Sequence, residues 1–515
     1  MKHTKNILLI TIQDDFSVIG LKHIHYYLLD NNYHSHLILM PYFNENDPSA
    51  LEKIHKFISD LDPLFIGMSL MSHEYESAGK ITDYLKNNFP TKQVIWGGMH
   101  PTIAPEPCLK FADFVCLGEG ENTILEYANA LRDGLDPKEI RNLVYFENQQ
   151  MIKNPLNPYI EDLDQLPFPE HIIKNSYVQE RSGDVSKVDK IIFYKYAKYA
   201  GKIYDIVTSR GCPFSCTYCC AGFINNMYES KKIRKRSIDN VILELEKVRN
   251  DYPSIEAVYF HDENFLCRSK TEIEYFAEHY KKKVGIPFSI SAIPRFVNYE
   301  TTSLFKKGGL TWARIGLQSG SDRVCEEVYK RYSFSKDFLK CLKIMRDLKI
   351  GVYCDVILDN PFEKPQETLE TIQTLMDAPK PFYLQLYSLK AYYGTELYEK
   401  IEEELPSNLS KASKKDYLKY DNNPLNVMAR FASVCPKWLM NKLVHSYKKG
   451  PDRFSFKLIL LLTKVLSTFI FEPITYVRFL HWSQGNSIKK TFKAIPVYFK
   501  QMWSRYQLHF TKESK

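Results

Sequence analysis

The sequence predicts an α/β protein in three parts: an open parallel sheet over residues 1–150, a (β/α) barrel, partial or full, over 201–400, and a mostly helical region over 401–515. Two observations carry this. Continuous apolar runs of strand length alternate with helix-period segments twice along the chain, the pattern of parallel strands buried on both faces. A polar, proline-bearing stretch, 151–200, separates the two runs, and the rhythm stops near residue 405.

In the first part, "NILLITI", "SHLILM", "LFIGMSL", "QVIWGG" and "DFVCLGEGE" read as strands. Between them "GLKHIHYYLLDNN", "ALEKIHKFISDLD" and "EYESAGKITDYLKNNFP" read as helices. In 151–200, "NPLNP" and "LPFP" bar continuous helix and central strand, so this stretch reads as a linker. Then "YDIVTS", "EAVYFHD", "FSISAI", "ARIGLQ", "YCDVILD" and "FYLQLYSL" are strands, with four helix-period segments among them. That rhythm fits a barrel better than a second flat sheet.

With 515 residues and 44% hydrophobic content the chain can bury several cores. Eleven cysteines are too few for a disulfide scaffold of this length. There is no basic segment followed by an apolar run and a small-residue cleavage site, so a cytoplasmic protein with reduced thiols is expected. No Gly-x-Gly-x-x-Gly follows the first strand, which argues against a dinucleotide site. The net charge of +8 is uneven: 441–515 holds 14 Lys or Arg against 3 Asp or Glu.

Directly after the strand "YDIVTS" comes "GCPFSCTYCC", with Cys212, Cys216 and Cys219 spaced Cys-x3-Cys-x2-Cys. A structural zinc site normally takes four protein ligands. Cys220 neighbours Cys219 and so points elsewhere, and Cys267 lies far downstream; both read as packing residues. Three thiolates on a cubic iron–sulfur cluster would leave one iron open to a small molecule. A sulfonium held there through its amine and carboxylate would have its C–S bond next to a one-electron donor.

"CPFSCTYC" resembles the signature of the radical S-adenosylmethionine (SAM) enzymes. The resemblance covers about 201–400 and implies a (β/α)6-type partial barrel, a [4Fe–4S] cluster on the three cysteines, and Tyr218 packed by the adenine. "YFHDENF" places Asp262, Glu263 and Asn264 where the family helps hold the methionine moiety. "RIGLQSGSDRV" resembles the fifth strand and its loop, with Gln318 and Ser319, and Gln standing where Glu is commoner. "VILDNPFEKPQET" resembles the sixth, and Arg295 in "SAIPRF" is a candidate for the SAM carboxylate.

Residues 1–150 resemble Rossmann-like cobalamin-binding domains, whose signature is Asp-x-His-x-x-Gly, then Ser-x-Leu, then Gly-Gly. "DFSVIG" supplies Asp15, Ser17 and Gly20, and "GMSLM" supplies Ser69 and Leu70. "WGGMHPT" supplies Gly97, Gly98, Pro101 and Thr102, and "LGEGE" supplies Gly118, Glu119 and Gly120. These segments follow strands at the carboxyl edge, where open α/β sheets bind ligands. Ser17 replaces the histidine that ligates cobalt from below, so the resemblance implies base-off cobalamin without an axial histidine. His100 lies in the Gly-Gly loop, and His23 and His25 one turn into the first helix, expected on its surface or in the core.

Together the two halves resemble cobalamin-dependent radical SAM enzymes. The commonest chemistry there is methyl transfer to an unactivated carbon after a 5′-deoxyadenosyl radical removes a substrate hydrogen. An external one-electron donor, flavodoxin or ferredoxin, is implied. Non-methylating radical chemistry (cyclisation, ring rearrangement, oxidation or carbon–carbon coupling) and a non-catalytic corrinoid or iron–sulfur module stay open. The substrate is a small molecule or a lipid.

The stretch "FSFKLILLLTKVLSTFIFEPITYVRFLHW" is the most apolar in the chain. Lys457, Lys464, Glu472 and Pro473 interrupt it, leaving no clean 18-residue span. A helix over Phe456–Phe471, buried on most faces as a cap over the barrel mouth, is expected. Peripheral contact with anionic lipid is the functional alternative, since Trp482, Phe492, Tyr498, Phe499 and Trp503 sit among lysines farther on. No nucleic-acid-binding module is found.

Overall fold

A computed structural model describes residues 5–475 and 477. Two compact units are present: the first is Met1–Asp262 with Tyr392–Glu399, the second Glu263–Ala391 with the chain from Lys400 on.

The first unit is built on a nine-stranded sheet. Its strands are β1 (Asn6–Thr11), β2 (His34–Leu39), β3 (Ile66–Ser69), β4 (Val94–Gly97), β5 (Phe114–Cys116), β6 (Leu143–Glu147), β7 (Gln150–Lys153), β8 (Ser176–Gln179) and β9 (Val185–Lys187). The order is β7-β6-β5-β4-β3-β1-β2-β8-β9. The central strands run parallel, and the outer pairs β5–β6, β6–β7 and β8–β9 run antiparallel. Alternation along β1 divides the core into two layers. Ile7 and Leu9 pack with Leu37 and Ile95 on one face, while Leu8 and Ile10 pack with Ile66, Met68 and Trp96 on the other. Helices Ile19–Asp30, Pro48–Leu61 and Tyr75–Asn88 fall where the apolar periodicity puts them.

The stretch 151–200, expected as a linker, supplies β8, β9 and a helix over Lys190–Tyr196. Its prolines, Pro155, Pro158, Pro167 and Pro169, all precede β8. They leave short pairing segments at the sheet margin, which proline tolerates better than the centre.

The first unit continues with β10 (Ile203–Ile206), β11 (Ser209–Arg210), β12 (Arg234–Lys235) and β13 (Ala257–Phe260). β10 and β13 are parallel, with Tyr204 opposite Val258, and β11 and β12 form an antiparallel clip. The second unit holds β14 (Phe288–Ala292), β15 (Leu310–Gln318), β16 (Gly351–Leu358) and β17 (Tyr383–Ser388), joined in parallel in chain order. β10 and β13 in the first unit and β14 to β17 in the second are the six strands read from the sequence over 201–400. Helix starts are chemically marked: Ser237 and Asn298 each accept a backbone N–H three residues on, and Ser269 forms a capping box with Glu272. Helices Pro424–Ala432, Lys437–Lys449 and Phe454–Leu466 complete the unit.

Two expectations for the last helix are corrected. It runs from Phe454 to Thr475, long and apolar enough by composition to cross a membrane, and only 22% of its apolar window is buried. Pro473 does not end it, because a π-turn at Ser467–Phe471 precedes the proline and loosens the carbonyl ladder where the ring would clash. The aromatics from Trp482 to Trp503 lie outside the described residues.

Candidate active site

The three-cysteine loop hangs between β11 and β12. Gly211 opens it at φ +110, and a Cβ there would lie 2.5 Å from the Lys232 carbonyl, so only glycine fits. Cys216 is buried; Cys212 and Cys219 are half-buried. The Cys219 N–H donates to the Cys216 carbonyl (3.0 Å), and Cys219 caps the helix Cys220–Met227. Asn225 on that helix reaches back, its amide donating to the carbonyls of Cys212 (3.0 Å) and Phe214 (3.1 Å). A Cβ on Gly222 would sit 2.6 Å from the Cys216 carbonyl, so the helix packs directly on loop backbone. Upstream, the buried Asp262 carboxylate accepts from Thr208 N–H (2.6 Å), Thr208 Oγ1 (2.6 Å) and Ser209 Oγ (2.8 Å). Downstream, the Leu397 N–H donates to the Thr217 carbonyl (2.9 Å).

This loop suits a cubic cluster. Two of its thiols, those of Cys212 and Cys219, are half-open, Cys216 and Cys219 sit at a tight turn, and a helix N-terminus beside Cys219 favours thiolate. Among the described residues no three His, Cys, Asp or Glu side chains converge on one metal-ion position. A cubic cluster asks for a wider triangle, since each thiolate takes a different iron. Elsewhere, burial pushes the Cys108, Cys116 and Cys325 thiols up to about 12 and raises those of Cys341 and Cys354 further; these are core residues.

The cobalamin-type loops gather at the carboxyl ends of β1, β3, β4 and β5. Gly20 has open space where a Cβ would point, and Gly97 meets nothing closer than 3.8 Å. Gly98, at φ +94, lies against Ser69 Oγ and the Leu70 backbone. The open positions at Gly20 and Gly97 fit a ligand that approaches backbone, whereas Gly98 is required by its positive φ and by the Ser69 and Leu70 atoms packed against it. Thr102 donates to the Gly98 carbonyl (2.7 Å) and accepts from the Gly118 N–H (3.1 Å), tying two glycine loops together. Pro101 is buried beside it, and Leu70 is a core residue. A Cβ at Gly118 would strike the Tyr228 hydroxyl, and one at Gly120 would lie 2.9 Å from Ile24.

Glu119 does not face a ligand. Its carboxylate is clasped by Arg234 (2.5 and 3.0 Å) and Arg210 (3.3 Å), while Glu121 takes a second Arg210 nitrogen (2.5 Å). Both arginines belong to the clip that carries the cysteine loop. Arg234 also lies 4.0 Å over the Tyr159 ring, which stacks 4.0 Å from Tyr228.

The first loop is turned the same way. Asp15 accepts from the Ser17 N–H (2.6 Å) and pairs with Lys198 (2.6 Å). Burial opposes its charge, yet Lys198 and Ser17 hold its carboxyl below the usual range. Ser17 Oγ donates to Asp205 of β10 (3.3 Å). His25 is a core residue, bonded to Ser35 Oγ and the Lys174 carbonyl (both 2.8 Å). Buried His23 lines a small cavity with Val207, Arg210 and Arg236. His100 contacts Ser72 Oγ (3.1 Å).

In the second unit, Asn264 is buried, donating to Cys267 Sγ (2.9 Å) with Ile293 N–H near its oxygen (3.5 Å). It braces the loop after Glu263 rather than pointing outward. Arg295 is exposed and donates to the Tyr332 carbonyl (3.0 Å). Gln318 ends β15 in the left-handed region at φ +66, a strained conformation for a non-glycine residue. Ser319 is buried near Thr371 Oγ1 (3.4 Å), and the neighbouring Glu363 carboxyl is raised to about 8 by burial and by Glu367. Tyr218 is half-buried in the cysteine loop.

A family model described as "B12 binding domain" matches residues 5–128, and one described as "Radical SAM superfamily" matches 206–375. The chain belongs to the cobalamin-binding radical SAM family. An uncharacterized methyltransferase of Pyrococcus horikoshii is 27% identical over 67% of this chain and 71% of its own length. The cytidylyl-2-hydroxyethylphosphonate methyltransferase of Streptomyces wedmorensis is 23% identical over 63% of this chain and 64% of its own. Among solved structures, the radical SAM methyltransferase TsrM of Kitasatospora setae, with cobalamin and a [4Fe–4S] cluster bound, aligns with TM-score 0.63. It is 16% identical and covers 78% of each chain. The radical SAM enzyme OxsB with aqua-cobalamin aligns with TM-score 0.64 at 14% identity, over 99% of this chain and 81% of its own. At these identities the structural matches show a shared fold.

For this family member, the sequence reading missed the bracing residues: Arg210, Arg234, Tyr228, Lys198 and Asp205. It also missed Arg314, whose guanidinium pairs with Asp355 (2.6 Å) and touches the Tyr387 hydroxyl. Strand alternation was the available signal. Arg314 and Gly316 share one face of β15, register sets Gly316 opposite Asp355, and Tyr387 lies two residues beyond Asp355's partner Gln385.

Proposed function

We propose that this chain is a cobalamin-dependent radical SAM methyltransferase acting on an unactivated carbon of a small molecule or lipid. The observation that carries the reading is the Arg210–Glu119–Arg234 clasp, which braces the loops of a cobalamin-type sheet and a three-cysteine loop within one compact unit. The methyltransferase names of the two curated relatives support the reaction class.

Cys212, Cys216 and Cys219 would hold the cluster, and Tyr218, Gln318 and Ser319, with Glu263, would contact SAM. When bound, these groups supply hydrogen abstraction and cobalamin supplies a transferable methyl. Gly20 and Gly97 would admit cobalamin against backbone, with Gly98 and Ser69 shaping the loop beside them. Ser17, in the place of the family's histidine, is turned to Asp205, and His25 is locked in the core, so neither would hold it. The chain's own part is positional: to hold reacting groups near contact and exclude water. Arg314, with Asp355 and Tyr387, offers a polar anchor for substrate on the strand face of the second unit. An external flavodoxin or ferredoxin would supply electrons.

The test is anaerobic reconstitution with cobalamin, SAM and a strong reductant. The proposal expects both 5′-deoxyadenosine and S-adenosylhomocysteine. Deoxyadenosine alone would favour non-methylating radical chemistry, and no SAM cleavage would favour a binding module.

A further inference from the structure

The helix Phe454–Thr475 is inside out. Its residues against the protein are Phe456, Thr463, Ser467 and Thr468, three of them hydroxylic. Thr463 satisfies its hydroxyl on the Ile459 carbonyl (2.8 Å), and Ser467 meets Cys435 Sγ (2.7 Å). The outward face carries Phe454 (79% exposed), Leu461 (58%), Leu462 (53%), Val465 and Phe469 (71%). A surface helix in water shows the opposite arrangement, and a contiguous apolar stripe of this kind marks a contact surface.

Charge indicates the partner. Residues 437–475 hold seven Lys or Arg and two acids, Asp452 and Glu472. Glu472 is already engaged by Arg430 (3.3 Å). Lys442, Lys448, Lys449, Arg453 and Lys457 are exposed beside the stripe. Trp438, at the start of the preceding helix, is 67% exposed. A second copy would bring the same positive charge against this one. A transmembrane span would have to strip Thr463 and Ser467 from their packed face. An amphipathic helix with basic flanks and an aromatic anchor suits the plane of an anionic bilayer.

We infer that Phe454–Thr475 docks this protein on the surface of an anionic lipid bilayer, with the Leu461–Phe469 face in the acyl boundary and the flanking lysines at the headgroups. The test uses the full chain, sedimented with vesicles of phosphatidylcholine alone or mixed with phosphatidylglycerol. Binding is expected to the mixed vesicles, weakening as salt rises. Leu462→Glu with Phe469→Glu should reduce it at least about tenfold. Lys448→Glu with Lys449→Glu should do so several-fold, while leaving binding to zwitterionic vesicles weak as before. Unchanged binding in both double variants would overturn the inference. So would a wild-type protein that ignores both vesicle types, whether as a dimer that Leu462→Glu splits or as a monomer whose own later residues cover the face. SAM cleavage by the Leu462→Glu/Phe469→Glu protein should match wild type, so the outcome is separable from the proposed reaction.

Discussion

The clasp in the first unit and the last helix of the second treat polarity in opposite ways. Around Gly118–Glu121, four charged side chains are withdrawn from water, and each finds a partner within 3.3 Å. Along Phe454–Thr475, hydroxyls are withdrawn and large apolar groups are left outside. Buried charge is tolerated where it is paired, and exposed apolar surface is tolerated where something else will cover it. The first arrangement is complete within the chain. The second is completed from outside.

The largest effect should come from the loop the clasp supports. Replacing Cys212, Cys216 or Cys219 by Ala should abolish cluster absorbance and SAM cleavage after anaerobic reconstitution, whereas Cys341→Ala should keep both. Next comes the clasp itself. Arg234→Met leaves Glu119 short of its main partner in a mostly buried site, where breaking a pair costs about 3–5 kcal/mol; chemical denaturation at neutral pH reads this directly. Acid should then erode the same unit. Burial pushes the His25 and His171 rings down to about 4, against about 6.5 in an unfolded chain. Their contribution is whole above that upper value and is lost as pH falls from there toward 4, because only the unfolded chain takes up the protons. Each ring accounts for up to about 3 kcal/mol, and His25→Gln should flatten the pH dependence of unfolding in that window. The smallest change in stability should come from the last helix: Leu462→Glu should shift unfolding by no more than about 0.5 kcal/mol. A large loss there would mean the face is covered within the chain and would erase the contrast.

The fold was legible because its elements obey period. β1 to β5, β10 and β13 to β17 read as apolar strands, and the cysteine spacing and glycine pairs mark loops that follow them; the two-residue polar strands β11 and β12 gave no such signal. What stayed hidden depends on contacts far apart in sequence. Nothing near Glu119 announces Arg234, and Glu119, expected to face cobalamin, is spent on that pair. Asn264 likewise looks like a ligand contact until Cys267 and Ile293 are seen beside it. β8 and β9 are too short and too polar to stand out from a proline-bearing stretch. The last helix was readable as apolar, but composition does not say which side turns inward. Only the burial of Thr463 and Ser467 does.

The Thr217–Leu397 hydrogen bond carries a consequence for biogenesis. The first unit is not finished when Asp262 leaves the ribosome; it waits for Tyr392–Glu399 to be synthesised and to return. Until then the cysteine-bearing loop lacks one of its fastenings. Maturation machinery that loads metal during translation would therefore meet a looser loop than the one seen in the completed chain.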